Sequence, residues 1–237
     1  MERVRHPQKL GDRLAEPDSH ELSFVVLFDG WFDDLARLHR SIAKNVEADH
    51  ELVVIDNPMD EAASEQIAAL DRVLHVPLRD RLGWSAGRNL GLRLATGRVV
   101  VVIDTSVEVV GPLAFDDPEG VLGRWGVRAT ESIYHFEESD GPHVHAIEAY
   151  FMAMRRSLLQ ETGLFDPKFK WYRNADIDFS FQARAKGFPC IVDASLPLER
   201  HEHRLWATTP EAQRDEMSRK NFFRFVDHYK DREDLLT

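Results

Sequence analysis

Four short apolar runs in the first half of the chain alternate with segments of mixed polarity. These runs occupy most positions of residues 22–28, 52–55, 73–76 and 99–103. Consecutive apolar positions are typical of strands that are buried on both faces. Between the runs, apolar side chains recur at helical spacing over residues 31–46, 61–70 and 85–96. This alternation predicts an α/β fold in which a parallel sheet carries helices on both faces.

The second half of the chain is less regular. Its pattern predicts strands over residues 121–133, 147–154 and 190–192. It predicts helices over residues 155–162, 176–186 and 210–228. Residues 111–120, rich in proline, glycine and acids, are expected to form a loop. No repeat or linker divides the chain, so residues 21–237 are expected to form one domain behind a flexible polar tail, residues 1–20.

Composition and charge exclude several classes of protein. Acidic residues outnumber basic ones by 41 to 30, and the net charge of −11 argues against a nucleic-acid partner, which needs a basic surface. The longest apolar run, residues 99–103, is too short to span a bilayer, and residues 1–8 lack the apolar segment of a signal peptide. The one cysteine, Cys190, cannot form an internal disulfide, so we expect a reducing, cytoplasmic location.

The end of the fourth apolar run carries the strongest chemical signal. Asp104, Thr105 and Ser106 directly follow it. In parallel α/β sheets, ligands bind at the carboxyl ends of the strands, and Asp56 ends a second run at that same edge. A carboxylate there suits Mg²⁺ or Mn²⁺ completed by phosphate oxygens, although an aspartate that caps the turn after a strand has the same pattern.

Two further segments carry acids and histidines. Asp176 and Asp178 lie at a predicted helix start, where they suit either helix capping or, for Asp176, the role of a general base. His201 and His203 share one face of an extended segment, where they are either metal ligands or solvated side chains.

Small residues mark the start of the third predicted helix, over residues 82–91. The glycine spacing is not that of a dinucleotide-binding fingerprint, and no Gly-Lys-Ser/Thr of a Walker loop is present. Gly87 and Gly91 suit close packing of the helix, and the same segment, helped by Arg88, suits an approach to a ligand phosphate. The sequence alone favours neither interpretation.

Taken in order, these motifs resemble those of the GT-A glycosyltransferases, specifically family 2. The matching segments are Val53–Asn57, Gly83–Gly91, Asp104–Ser106, Gly163–Asp166 and Asp176–Asp178. The resemblance implies a GT-A (Rossmann-like) fold, a mixed, mostly parallel sheet flanked by helices, with a C-terminal helix. It also implies a nucleotide-binding half at residues 21–110, an acceptor half at 111–209 and a C-terminal helical segment at 210–237.

Residue by residue, the resemblance implies roles. Asp176 matches the family's catalytic base. A divalent cation, Mg²⁺ or Mn²⁺, is implied on Asp104 with His203 or His201. The positions implied to contact a nucleotide sugar are Phe28, Asp29, Asp56, Gly83, Trp84, Arg88, Asp104 and Ser106.

The activity implied is inverting transfer of a sugar from a nucleotide-diphosphate donor to an acceptor hydroxyl. The acceptor, a saccharide, a lipid-linked molecule or a small molecule, is left open, as are a homodimer and peripheral membrane association. Ser106 and Ala175 replace acids of the family pattern, which favours an alternative, an inactive domain that binds nucleotide or a protein partner. A nucleotidyltransferase is disfavoured because residues 28–34 contain no lysine or arginine.

Overall fold

The computed structural model describes residues 10–57 and 60–237. Its first half has the predicted alternation of strands and helices, with boundaries shifted by a few residues at most. The elements are β1 His20–Phe28, α1 Phe32–Asn45, β2 His50–Asp56, α2 Glu61–Ala68, β3 Val73–Pro77, α3 Trp84–Leu94 and β4 Gly97–Ile103.

The second half is built from shorter pieces than the sequence pattern predicts. Its strands are β5 Val107–Val109, β6 Val121–Gly123, β7 Gly126–Ala129, β8 Phe136–Glu138, β9 His143–Val144, β10 Ala146–Ile147, β11 Phe151–Arg155, β12 Cys190–Val192 and β13 Leu198–Arg200. Its helices are α4 Arg156–Thr162, α5 Ala175–Arg184, α6 Arg204–Thr208 and α7 Glu211–Tyr229, followed by a 3₁₀ turn at Glu233–Leu236. Strands form within residues 121–133 and 147–154, as the pattern predicts, but each stretch is divided between two sheets.

The central sheet has eight strands in the order β3-β2-β1-β4-β11-β6-β12-β9. The first four strands are parallel, and β11 pairs with β4 in the antiparallel sense. Phe28 lies opposite Asp56, which in turn lies opposite Pro77, so the carboxyl ends of these strands are level. This sheet confirms the mixed, mostly parallel α/β architecture, and its aligned strand ends form the edge at which ligands of such folds bind.

Two smaller sheets complete the second half. One has the order β10-β7-β8, and the other pairs β13 with β5. Arg200 lies opposite Val107 in the second pair. This pairing brings residues that follow β13 close to the end of β4, although about a hundred positions separate them in the sequence.

Apolar side chains fill both faces of the central sheet. One face packs against α3, α4, α5 and α7, and the other packs mainly against α1 and α2. Helix α3 lies close to β1 because two of its residues lack a side chain. A Cβ added at Gly91 would lie 2.4 Å from Val25 Cγ1, and one at Gly87 would lie 2.5 Å from Leu27 Cδ1. The glycines of α3 therefore serve close packing.

Residues 13–19 differ from the flexible tail expected there. The Arg13 backbone N–H donates to the Arg93 carbonyl, and the Ser19 N–H donates to the Thr96 carbonyl. Arg156, only 3% exposed, donates to the carbonyls of Arg13 and Glu16 and pairs with Asp18. These bonds hold the segment against α3 and α4.

No helix of the described residues is long and apolar enough to cross a membrane.

Candidate active site

A cleft of about 710 Å³ opens at the carboxyl edge of the sheet. Its walls come from the start of α3, the end of β4, the loop between β10 and β11, and the start of α5. Side chains from α6 and α7 close its outer side. The cleft brings together Trp84, Arg88, Asp104, Asp176 and His203, which are far apart in the sequence.

Asp104 is the central carboxylate of the cleft. Its Oδ1 accepts hydrogen bonds from the Ser106 N–H at 2.9 Å and the Ser106 hydroxyl at 2.7 Å. Its Oδ2 lies 3.4 Å from Arg88 Nη2 and 3.6 Å from His203 Nε2. Burial alone would raise the pKa of Asp104, but the approach of His203 and the charge of Arg88 outweigh it and hold that pKa well below its usual range. Asp104 is therefore ionised.

Arg88 is a buried cation beside this carboxylate. It is 2% exposed, and its guanidinium carbon lies 4.0 Å from the centre of the Trp84 ring. Burial lowers the pKa of Arg88, and the charges of Asp104, Asp29 and Asp176 oppose that shift. The Arg88 Nε is buried and has no hydrogen-bond partner. An unpaired donor on a buried guanidinium is suited to an anionic ligand.

His203 and His201 have different surroundings. His203 caps α6, since its Nδ1 accepts from the Trp206 N–H at 3.1 Å, so the tautomer that carries its proton on Nε2 directs that N–H toward Asp104. His201 Nε2 lies 2.8 Å from Glu108 Oε2 and does not contact Asp104. Of the two histidines proposed as metal ligands, the structure places only His203 at the site, and it faces Asp104 as a donor.

A divalent cation bound in this cleft would be held mainly by Asp104. Among the described residues, no three His, Cys, Asp or Glu side chains are grouped closely enough to hold a metal ion. Mg²⁺ is commonly bound by one or two protein carboxylates, with phosphate oxygens and waters as the other ligands. Asp104 Oδ2 borders the cleft and supplies one such oxygen.

Asp176 is held at the first residues of α5 by two backbone groups. Its Oδ2 accepts from the Ala149 N–H at 3.1 Å, and its Oδ1 accepts from the Ile177 N–H at 2.9 Å. Asn174, in the left-handed conformation with φ of 67°, turns the chain into the helix just before it. Burial raises the pKa of Asp176 despite these hydrogen bonds. A fixed carboxylate with a raised pKa is suited to accepting a proton.

Asp178 has a different environment from Asp176. It is 1% exposed, and its Oδ1 lies 2.8 Å from His228 Nδ1 on α7. The Tyr229 hydroxyl donates to the Asp178 carbonyl. Burial raises the pKa of Asp178 to about 6. Asp178 therefore fastens α7 to α5 and does not line the cleft.

Comparisons with known proteins agree with this geometry. The sequence profile of glycosyl transferase family 2 matches residues 24–109. The structure of GalNAc-T7 with UDP, GalNAc and Mn²⁺ is 18% identical, with a TM-score of 0.70 over 90% of this chain and 48% of that one. The chain therefore has the GT-A fold, and its first half is similar to glycosyl transferase family 2.

Other GT-A structures align with it at similar identity. The mannosyltransferase PcManGT from Pyrobaculum calidifontis, in complex with GDP-Man and Mn²⁺, is 18% identical, with a TM-score of 0.58 over 84% of this chain and 62% of that one. S. aureus TarS 1-349 is 17% identical, with a TM-score of 0.54 over 88% and 72%. This GT-A chain spans about half the length of GalNAc-T7 and less than two thirds of PcManGT. No curated protein matches its sequence.

Two further aspartates expected to contact a nucleotide sugar, Asp56 and Asp29, lie at the ends of β2 and β1. Asp56 is 1% exposed, and its Oδ2 accepts from the Ser64 hydroxyl at 2.6 Å and lies 3.0 Å from His75 Nε2. Its Oδ1 is buried and has no hydrogen-bond partner among residues 10–57 and 60–237. Asp29 accepts from the amide of Asn57 at 2.7 Å and from Arg81 at 2.9 Å, and burial raises its pKa.

The space next to Asp29 and Ser106 is nearly filled. A second cleft there measures about 20 Å³ and is covered by residues 202–205. Arg204 Nε lies 3.2 Å from Asp34 Oδ2 and holds this cover in place. A space of this size holds about one water molecule, so no room for a nucleotide is left beside Asp29 with residues 202–205 in this position.

The Phe28 ring and the backbone N–H groups at the start of α3 face other parts of the protein rather than the cleft. Phe28 is fully buried, because alternate residues of β1 face opposite sides of the sheet and its ring packs with the α1 side of the core. The Trp84 and Ser85 N–H groups donate to the carbonyls of Lys170 and Phe169. A Cβ at Gly83 would lie 2.9 Å from Lys170 Cα. This helix start is therefore packed against protein, and these two N–H groups are not free for a phosphate.

The motifs did not reveal several residues of the cleft wall. Glu148 and Tyr150 flank Ala149, and Arg200 lies at the end of β13. Glu148 stands next to no recognisable motif, and only the fold brings it to Asp176. The aromatic rings of Tyr172 and Trp206 also line the cleft. Trp171 does not line it, and its ring centre lies 6.5 Å from that of Trp206.

Proposed function

We propose that this protein is an inverting glycosyltransferase that moves a sugar from a nucleotide-diphosphate donor to an acceptor hydroxyl with the help of a divalent cation. The observation that carries the proposal is a shared cleft. It contains Asp176, a half-buried carboxylate held by backbone N–H groups, together with Asp104, Arg88 and His203. The donor class is supported by structural neighbours that contain UDP and GDP-Man.

Arg88 and His203 would act on the leaving diphosphate. Negative charge develops on that group as the bond to the sugar breaks, and a preorganised buried cation stabilises such charge strongly. The free Arg88 Nε and the His203 Nε2–H are donors already fixed at this position. A divalent cation held by Asp104 would supply Lewis-acid stabilisation of the same charge.

Asp176 would act on the acceptor. The carboxylate accepts the proton of the acceptor hydroxyl as that oxygen attacks the anomeric carbon from the face opposite the diphosphate, and the configuration inverts. The hydrogen bonds from Ala149 and Ile177 fix the carboxylate for this role. Its raised pKa makes it a better proton acceptor than an exposed aspartate.

An inactive nucleotide-binding domain is the second candidate. It is favoured by Ser106, whose hydroxyl occupies Asp104 Oδ1 where the family places a second acid, and by the cover formed by residues 202–205. Incubation with UDP- and GDP-sugars and Mn²⁺ separates the two candidates. Release of free sugar and nucleoside diphosphate supports the enzyme, whereas nucleotide binding without any hydrolysis or transfer supports the inactive domain.

Asp104→Asn is expected to weaken Mn²⁺-dependent binding of nucleoside diphosphates by at least tenfold. The substitution removes the charge that binds the cation but keeps an oxygen for the Ser106 hydrogen bonds. Thermal shifts with UDP and GDP, with and without Mn²⁺, measure the effect. A saturating ligand at about 100 times its Kd stabilises a protein by roughly 2.7 kcal/mol, which gives a clear signal. Equal shifts for the two proteins would contradict the assignment.

Asp56→Ala is expected to lower affinity for the preferred nucleotide even without metal. The unpartnered Oδ1 is suited to accept an N–H of the base, and Ser64 and His75 hold the other oxygen. Calorimetric titration with a panel of nucleoside diphosphates measures affinity and base preference. Ser64→Ala serves as a control that keeps the carboxylate. Unchanged affinity and preference in Asp56→Ala would rule out base reading by this residue.

A further inference from the structure

Glu148 lines the cleft as a largely buried carboxylate that lacks hydrogen bonds. Its side chain is 23% exposed, and its only close ionic neighbour is Arg200, whose Nη1 lies 3.8 Å from Oε2. That separation exceeds a hydrogen bond. No other group among the described residues donates to this carboxylate. By contrast, both oxygens of Asp104 and of Asp176 have partners in the same cleft.

The backbone places Glu148 directly beside the catalytic carboxylate. The Glu148 N–H donates to the Trp125 carbonyl, and the N–H of the next residue, Ala149, donates to Asp176. Any group bound by Glu148 therefore lies close to the atom that Asp176 would deprotonate. Burial and the charge of Asp176 raise the pKa of Glu148 to about 7, which agrees with a carboxyl short of donors.

Arg200 is held in a fixed orientation next to Glu148. Its guanidinium carbon lies 4.6 Å from the centre of the Tyr150 ring and 5.6 Å from that of Trp125. Stacking of this kind limits the rotamers of a long side chain and leaves the edge of the guanidinium available for hydrogen bonds. The cleft wall thus offers an acceptor carboxylate and a donor guanidinium side by side.

This pair selects the chemistry of its ligand. An anionic group would be repelled by Glu148 and Asp176, and an apolar group would leave the buried carboxylate unpaired. A cation could pair with Glu148 but would be repelled by its neighbour Arg200, so a charged group of either sign suits only one member of the pair. Neighbouring hydroxyls of a sugar ring satisfy both partners, because each hydroxyl donates one hydrogen bond and accepts others.

We propose that Glu148 and Arg200 form a subsite for the ring hydroxyls of a saccharide bound against Asp176. This subsite rests on the proposed function and deepens it, since it names a saccharide ring as the group held at the reacting end of the cleft. The ring belongs either to the acceptor or to the transferred sugar of the donor. Both present the same chemistry to Glu148, and the experiment below distinguishes them.

The test compares Glu148→Ala and Glu148→Gln with the wild type and with Glu138→Gln. Glu138 lines the same cleft but is exposed, so its substitution removes one negative charge without removing the buried carboxylate. In the first arm, saturation-transfer NMR measures the Kd of methyl glycosides of glucose, galactose, mannose and N-acetylglucosamine, with and without UDP or GDP and Mn²⁺. In the second arm, calorimetry compares nucleotide sugars with the corresponding nucleoside diphosphates.

We expect Glu148→Ala to weaken binding of the sugar ring by about ten- to a hundredfold, the usual effect of losing hydrogen bonds to a charged group. Glu148→Gln should weaken it less, and Glu138→Gln, which changes only an exposed charge of the cleft, should have the smallest effect. Loss in the first arm assigns the ring to the acceptor, and loss in the second arm assigns it to the donor. The affinity for nucleoside diphosphates alone should not change, which also shows that the variants are folded.

Equal saccharide affinities in the wild type and Glu148→Ala would overturn the subsite. It would also be overturned if no methyl glycoside bound and no nucleotide sugar bound more tightly than its nucleoside diphosphate. Failure of nucleoside diphosphates to bind would instead contradict the proposed function. The methyl glycosides are also titrated without nucleotide, so the subsite can be tested even if no nucleoside diphosphate binds.

Discussion

Asp176→Asn is expected to lower the rate of sugar transfer by about 10²–10⁴-fold, the usual effect of removing a general base. Donor affinity should stay close to that of the wild type, because Asp104, Arg88 and His203 are unchanged. An asparagine offers one oxygen to the two backbone N–H groups that Asp176 now satisfies, so a stability loss of about 1 kcal/mol is also expected. Single-turnover rates with saturating donor separate the chemical step from this small structural effect.

Asp178→Asn is the matched control for this experiment. It makes the same chemical change two residues away, but Asp178 pairs with His228 and does not line the cleft. We expect a lower midpoint of urea denaturation and a transfer rate near that of the wild type. If the two effects were exchanged, or if Asp176→Asn transferred sugar at the wild-type rate, Asp176 would not be the base.

The first half of the fold was predictable because its signal is local. Each buried parallel strand is a run of apolar residues, and each helix repeats its apolar positions every three or four residues. The position of Asp104 at the end of β4 followed from the same pattern. The residues beside it did not follow from the hydrophobic pattern, because Arg88 reaches Asp104 from another element, and only the family resemblance assigned Arg88 and His203 to the same site.

The second half depends on contacts between distant short strands. Strands β5 and β13 have three residues each, too few for a recognisable pattern, yet their pairing leads the chain directly to His203. The His201 N–H donates to the Ser106 carbonyl at 2.8 Å and extends that pairing. The choice between His201 and His203 therefore depends on a register that the spacing of the two histidines alone does not reveal.

Glu148 is a residue of the candidate site that no local sequence pattern could predict. Nothing in its sequence neighbourhood marks it, since Ile147 and Ala149 are ordinary core residues. Its chemistry comes from burial beside Asp176 and from the distance to Arg200, and both are properties of the folded chain. Motifs identified the charged centre of the cleft, and only the folded structure identified the wall that we propose to face the sugar.

Arg88→Met is expected to destabilise the fold by about 3–5 kcal/mol, because it leaves the buried Asp104 carboxylate without its guanidinium partner. Methionine retains an apolar stem against the Trp84 ring, so the loss of stability measures mainly the removal of the guanidinium charge. The affinity for nucleoside diphosphates should fall as well, since Arg88 supplies the unpaired donor of the cleft. Urea denaturation and calorimetric titration measure the two effects.

The double variant Arg88→Met with Asp104→Asn tests whether the two charges stabilise each other. Once both are removed, neither is left buried and unpaired, so the double variant should be more stable than the sum of the single effects predicts. Residues in direct contact show such coupling at about 0.5–3 kcal/mol. Coupling of this size would mean that Asp104 compensates the burial of the Arg88 charge. A bound nucleotide would then compete with Asp104 for the Arg88 guanidinium. Strict additivity would instead mean that Asp29 and Asp176, whose charges also act on Arg88, hold the guanidinium without Asp104.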